Sequence, residues 1–170
     1  MSNVIAAPKT DAAEPSRWLR VYLIVIAIVE GLLGLGKIPL LLAGDAEVPG
    51  KGWGGWAVTS ELALTLPFAL IALFFLVKSD IRRAIPFVAG IGLLGWISML
   101  PSLADFPGKD FFAIYQVFRT MVLPLLMLMA IALCWKNERL TLAGLIAGIP
   151  SVLELLGIVI FAIGVAIYGF

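Results

Sequence analysis

Apolar residues fill five long stretches of the chain, and short polar segments separate them. The stretches cover about residues 18–43, 57–77, 84–103, 111–135 and 140–168. Each contains the roughly 20 residues that an α-helix needs to cross about 30 Å of hydrocarbon. The runs are continuous, whereas the strands of a membrane β-barrel alternate between apolar and polar residues. The pattern therefore predicts an all-α, polytopic transmembrane helical bundle with five spans.

The amino-acid composition also indicates a membrane protein. Hydrophobic residues make up 62% of the 170 residues and charged residues 14%, whereas soluble domains average roughly 45–50% and about 25%. We therefore expect residues 18–170 to form a single transmembrane domain in a lipid bilayer. Residues 1–17 mix acids, proline and alanine without an apolar core, which predicts a disordered cytoplasmic tail rather than a secretory signal.

Basic residues are concentrated in alternate loops. One set of loops contains Lys51 and Lys109, and the other contains Lys9, Arg17, Arg20, Lys78, Arg82, Arg83, Lys136 and Arg139. By the positive-inside rule the N-terminus is cytoplasmic and the C-terminus lies on the far side. We expect a multi-pass protein of the plasma membrane, the inner membrane of a bacterium. The formal net charge of +1 gives no reason to expect a nucleic-acid partner.

Five ionisable residues lie inside the apolar spans: Glu30, Lys37, Glu61, Arg119 and Glu154. A charge at the centre of a membrane helix costs roughly 2.5–3.5 kcal/mol on insertion scales, so these side chains should turn into the bundle and find partners. We predict that Lys37 pairs with Glu61, and that Arg119 pairs with Glu30 or Glu154. One carboxyl group is then left over, which could carry a proton, bind a cation or hydrogen-bond a quinone oxygen. This charge cluster is the candidate functional site.

Two other interpretations of the cluster stay open. The ion pairs could serve only to fix helix register and orientation. Lys37 and Glu61, which lie towards the outer surface, could also extend their polar ends to the interface.

The residue types exclude some chemistry. The chain has no histidine and one cysteine, Cys134, so it forms no intrachain disulfide. Histidine is the usual ligand of haem, copper and zinc, so we expect none of these held by this chain alone. Without histidine, the sequence offers no nucleophile–base–orienter set of the serine- or cysteine-hydrolase type either. The sequence therefore favours a chain that is not an enzyme on its own, and quinone is the one cofactor left open.

Several smaller signals concern packing. Glycines recur in the first, third and fifth spans and should allow close helix contacts: Gly31, Gly34, Gly36, Gly90, Gly92, Gly144 and Gly148. We favour intramolecular packing, with homo-oligomer contact as the alternative. Prolines inside the spans predict kinks whose freed carbonyls are satisfied by neighbouring helices.

"GKGWGG" (Gly50–Gly55) lacks the ending of a phosphate loop and predicts a surface turn. Trp96, with the aromatic run Phe111, Phe112, Tyr115 and Phe118, could line a pocket for a flat ligand, although lipid-facing and interface packing is the commoner role of such residues.

Two segments carry a family resemblance. The first span ends in "EGLLGLGKIP", and the second opens with "SELAL" and leads to "VKSDIRRA". This order resembles the DoxX/DoxD group of small membrane proteins, in which a glycine precedes a lysine at the end of the first helix and a glutamate opens the second. Arg20 stands where the group often has an arginine. The resemblance covers residues 20–84, about half of the chain.

The resemblance implies a four-helix bundle, to which this chain adds a fifth span, and a role beside membrane redox chemistry such as quinone-linked thiosulfate oxidation. Glu30, Lys37 and Glu61 would be the shared site positions. The loop of residues 43–56 has no signature of the group. The resemblance gives no support for Arg119 or Glu154 as site residues.

Three hypotheses of function follow. The first is a small accessory subunit associated with quinone or redox chemistry, without its own metal centre, beside a membrane or soluble redox partner. The second is a proton- or ion-coupled transporter of small molecules that uses the charge cluster. The third is a membrane scaffold or assembly protein whose charges only orient its helices.

Overall fold

The computed structural model describes residues 17–43, 52–101, 118–137 and 139–169. These residues form five long helical segments, and no strand occurs among them. The helices are α1 (Arg17–Ala43), α2 (Trp53–Val77), α3 (Ile81–Met99), α4 (Leu123–Trp135) and α5 (Leu140–Tyr168), and a π-helical turn (Phe118–Val122) leads directly into α4. All five segments are long and apolar enough to cross a membrane, which confirms the predicted five-span helical bundle.

Some boundaries differ from the prediction. Residues 53–55, predicted as part of a surface turn, form the first turn of α2 because Gly52, at φ +94°, lets the chain enter the helix immediately after it. Helix α3 begins three residues earlier than predicted, since the carboxylate of Asp80 accepts a hydrogen bond from the backbone N–H of Arg83 and caps the helix. Residues 1–16 of the predicted tail (residues 1–17) and the start of the fourth span (residues 111–117) lie outside the described residues, while Arg17 begins α1.

Helix α3 lies at the centre of the packing. It contacts α2, α4, α5 and α1, while α5 returns to contact α1 and closes the bundle. The core between the helices contains fully buried Leu19, Leu23, Leu76, Ile85 and Met127. Large apolar side chains on α1, α2, α4 and α5 are nevertheless exposed, among them Leu32, Leu70, Leu125 and Phe161. In a bilayer these side chains face lipid, so the chain does not need to bury them within itself.

The basic loop residues within the described ranges lie together at one end of the bundle, which we call the basic end: Arg17, Arg20, Lys78, Arg82, Arg83, Lys136 and Arg139. Two of them bind helix C-termini. Arg20 donates from Nε to the carbonyl of Leu76 (2.8 Å), and Arg82 donates from Nε to that of Cys134 (3.2 Å). The last carbonyls of a helix have no partner in the helix, so these arginines satisfy the ends of α2 and α4.

Two proline kinks are satisfied by side chains from neighbouring helices. Pro86 has no N–H to donate to the carbonyl of Arg82, and the thiol of Cys134 donates to that carbonyl instead (3.2 Å). Pro124 likewise leaves the carbonyl of Thr120 free, and the indole Nε1–H of Trp96 donates to it (2.8 Å). The predicted satisfaction of freed carbonyls is therefore confirmed at Pro124, and the same arrangement occurs at Pro86.

Glycines set the distances between several helices. A Cβ on Gly34 would lie 3.0 Å from the backbone nitrogen of Leu66, so α1 and α2 meet there almost backbone to backbone. A Cβ on Gly144 would lie 2.9 Å from Leu19, and one on Gly148 would overlap the hydroxyl of Tyr22. These contacts confirm the predicted intramolecular packing for these three glycines.

We expect Gly34→Ala to destabilise the protein by about 1–3 kcal/mol, because α1 and α2 must separate to admit a methyl group. Gly36→Ala is the matched control: it lies on the same helix, and no described atom comes within 4 Å of its Cβ position. Both changes gain the same helix propensity. Thermal unfolding in detergent measures the difference, and equal melting temperatures for the two variants would contradict the close contact.

Candidate functional site

A cavity of about 440 Å³ lies in the half of the bundle away from the basic end. Every helix contributes to its wall: the middle of α1 and α5, Glu61 in α2, the last residues of α3 and the first residue of α4. Its volume falls within the roughly 300–1,000 Å³ of typical small-molecule sites. A cavity of this size among membrane helices can admit a small ligand from the lipid or from the membrane surface at the non-basic end.

The structure brings all five sequence-predicted residues to this cavity: Glu30, Lys37, Glu61, Arg119 and Glu154 all line it. They come from α1, α2, the π-helical turn and α5, so residues up to 124 positions apart in sequence (30 to 154) meet in one chamber. Glu30 interacts electrostatically with Lys37, Glu61 and Glu154. Glu30 thus lies within electrostatic range of three of the other four residues.

The predicted pair of Lys37 and Glu61 is confirmed. Lys37 Nζ donates to Glu61 Oε1 at 2.6 Å, and both side chains are about one-fifth exposed (21% each). The pair links α1 to α2 on the side of the cavity that faces the non-basic end. One helical turn further into α2, the hydroxyl of fully buried Thr65 donates to the carbonyl of Glu61 (2.6 Å). Such a bond to the residue four positions back often bends a helix.

Glu30 is the most deeply buried of the five acids and bases, with only 3% of its surface exposed. It lies 13 residues into α1, about 20 Å along the helix axis. The side chain of Ser151 on α5, itself 4% exposed, interacts with its carboxyl group. Sequence reasoning missed Ser151. The signal available was its position three residues before Glu154, which places both side chains on one face of α5.

Arg119 and Glu154 complete the charged wall. Within the described ranges, no ion pair joins Arg119 to Glu30 or to Glu154. The predicted pairing of Arg119 is therefore wrong, because the three side chains line the same cavity without reaching ion-pair distance. Glu154 lies three residues beyond Ser151 at the open edge of the cavity and is exposed in the absence of lipid. Among the described residues, no three histidine, cysteine or acidic side chains are grouped to hold a metal ion.

Trp96 and Pro124 together position Arg119. Arg119 lies in the π-helical turn, whose wider winding differs from the α-helix that follows it. The indole of Trp96 holds the carbonyl of Thr120, the residue next to Arg119, and Trp96 also lines the cavity. The predicted role of Trp96 in a pocket wall therefore agrees with its position. Of its predicted aromatic partners, Phe118 is exposed, and residues 111–117 lie outside the described chain.

Glycines keep the cavity open. Gly95 on α3 and Gly157 on α5 both line it, and no described atom lies within 4 Å of the Cβ position of either residue. Side chains at these two positions would project into free space. The chamber therefore depends on the absence of two side chains as much as on the presence of the charged ones.

We expect neutralising either member of the ion pair, by Lys37→Met or Glu61→Gln, to destabilise the fold by about 3 kcal/mol, because the remaining polar group loses its partner. The swapped double variant Lys37→Glu, Glu61→Lys should recover most of the loss. Thermal unfolding in detergent is the measurement, and Lys78→Met, an exposed change at the basic end, is the control. A swap as unstable as the single variants would show that the pair does not stabilise the bundle by its charges.

A double-mutant cycle tests the bond of Trp96. We expect Trp96→Phe to destabilise the protein by about 1–3 kcal/mol, because the carbonyl of Thr120 is left without a donor. In a Pro124→Ala background the same change should cost far less, since residue 124 then supplies its own N–H. Trp56→Phe, at an exposed position, is the control. Additive effects of the two substitutions would contradict the proposed compensation.

Comparisons with protein-family models, with curated proteins and with solved structures gave no match for this chain. The resemblance of residues 20–84 to the DoxX/DoxD group therefore stays an expectation.

Proposed function

We propose that this small integral membrane protein binds a quinone-like molecule in the cavity and acts as an accessory subunit of a membrane redox system. The observation that carries the proposal is the convergence of hydrogen-bonding groups from four helical segments on one chamber that is otherwise apolar. A quinone has a flat ring with two carbonyl oxygens and an apolar tail. It needs a site with a few polar groups surrounded by hydrocarbon, which is the usual character of a ligand pocket.

The wall supplies both kinds of contact. Arg119 can donate to a carbonyl oxygen, and the carboxyl of Glu154 can act at the opposite side of the ring. Trp96, Leu123 and Phe161 give flat or apolar surfaces around it. The ion pair of Lys37 and Glu61 is already satisfied (2.6 Å), so it shapes the wall and leaves the binding of the ligand to the other groups.

The proposal extends to the family, the orientation and the partner of the protein. We infer that the chain is DoxX/DoxD-like, that the basic end faces the cytoplasm of a bacterium, and that the protein works beside a redox partner in the plasma membrane. The excess of arginine and lysine at that end supports the orientation.

Coupled transport is the alternative function that one observation favours. Glu30 and Glu154 interact with each other electrostatically across the cavity, and neither forms an ion pair among the described residues. Two neighbouring acids of this kind can exchange protons with a passing substrate.

A cavity-filling variant tests the site. Gly157→Leu places a large side chain in the chamber, while Gly164→Leu, two turns further along α5, points to space outside it; no described atom lies within 4 Å of either Cβ position. We expect Gly157→Leu to weaken binding of a short-chain ubiquinone analogue at least tenfold and Gly164→Leu to leave it unchanged. Binding is measured by quenching of tryptophan fluorescence in lipid nanodiscs, with Trp96→Phe identifying the tryptophan that reports it.

Polar variants separate the two functions. Under the quinone proposal, Arg119→Gln should weaken binding several-fold. Equal binding by the Gly157→Leu and wild-type proteins, or no saturable binding by wild type, would overturn the proposal. If quinone does not bind, and vesicles show pH-driven uptake that Glu154→Gln abolishes, the transporter alternative replaces it.

A further inference from the structure

A second, smaller cavity lies at the basic end of the bundle, at the opposite end from the site described above. Its volume is about 270 Å³, and its wall combines Arg82 and Arg83 at the start of α3 with Phe75, Phe87 and Trp135. Arg82 is the second residue of α3 and Trp135 is the last of α4, so the cavity lies where the spans leave the hydrocarbon. Neither the charge cluster nor the proposed quinone site uses it.

The guanidinium groups keep free donors. A guanidinium carries five N–H bonds. In the described part of the chain, Arg82 uses two of them, from Nε and Nη2, on the carbonyls of Cys134 and Trp135. Arg83 directs its Nε to the carboxylate of Asp80 (3.3 Å), and its side chain is 71% exposed. Both arginines can therefore donate further hydrogen bonds. Asp80 offsets one of the two charges, and the neighbouring Lys78 and Lys136 add positive charge at this end.

An aromatic wall adjoins these donors. The rings of Phe75 and Phe87 stack with centroids 5.8 Å apart, and the guanidinium of Arg83 lies 5.9 Å from the centre of the Phe75 ring. Trp135 is 77% exposed beside them. The wall of this cavity therefore has two kinds of binding surface at the membrane boundary. The two guanidinium groups can bind a phosphate, and the aromatic side chains can contact an acyl chain.

We infer that this cavity binds one molecule of an anionic phospholipid, with its phosphodiester on Arg82 and Arg83 and the upper part of an acyl chain against Phe75, Phe87 and Trp135. A free phosphate ion would use only the arginines. A zwitterionic lipid would bring its own positive group close to the two arginines. The combination of charge and apolar surface favours the anionic lipid over both.

Native mass spectrometry of the full chain tests this inference, with phosphatidylglycerol and phosphatidylcholine supplied in equal amounts. We expect retained phosphatidylglycerol to exceed phosphatidylcholine at least fivefold, and Arg83→Gln to remove most of that preference. Lys78→Gln is the matched control, because Lys78 lies at the same end above the Phe74 ring (4.2 Å) but outside the cavity. Trp135→Ala, an exposed change, should lower retention of phosphatidylglycerol without unfolding the protein.

Three outcomes would overturn the inference. The first is equal retention of the two lipids by wild type. The second is an equal loss of phosphatidylglycerol in Lys78→Gln and Arg83→Gln, which would indicate a diffuse surface charge. The third is full displacement of the lipid by millimolar inorganic phosphate, which would identify a site for the anion alone. Arg82→Gln is not used, because it also removes the hydrogen bonds to the end of α4.

Discussion

The absence of water in the hydrocarbon of a bilayer is the constraint on which this structure depends. A polar group within that layer must find its partner inside the protein, since lipid offers none. The apolar surface, by contrast, needs no burial, and large apolar side chains on four of the five helices remain exposed. The fold is therefore organised by its few polar contacts: the apolar residues keep the chain in the membrane, and the polar ones determine how the helices meet.

Backbone carbonyls show the constraint as clearly as the charged side chains do. Pro86 and Pro124 each leave a carbonyl without its helical donor, and a side chain from a neighbouring helix replaces the donor in both cases. The two cases differ in consequence. Cys134 binds α4 to the start of α3 at the basic end, whereas Trp96 holds the π-helical turn that carries Arg119. Each of these prolines therefore leads to a hydrogen bond between two helices, and Trp96, the donor of one of them, lies in the wall of the cavity.

Much of this could be predicted from the sequence, because the membrane simplifies the problem. Five apolar runs predicted five helices, and the cost of a buried charge predicted that Lys37 would meet Glu61. Alternation of basic loops predicted that the basic residues would gather at one end. The π-helical turn and the interaction between Ser151 and Glu30 could not be predicted in this way. They depend on which faces of α1, α3 and α5 come together, and a sequence pattern gives the positions of residues along a helix more readily than its rotation against its neighbours.

The chamber also explains why the charges alone could not distinguish a binding site from a scaffold. Five charges paired through direct contact would leave no room for a ligand, and the bundle would then be a scaffold. Here Gly95 and Gly157 withhold side chains beside the charges, while Gly34 and Gly148 bring helices into tight contact elsewhere. The same residue type therefore serves two opposite purposes. Close packing at Gly34 and Gly148 gives the rigidity that allows an open space at Gly95 and Gly157, and an open space with polar groups on its wall gives a membrane protein the means to bind a ligand.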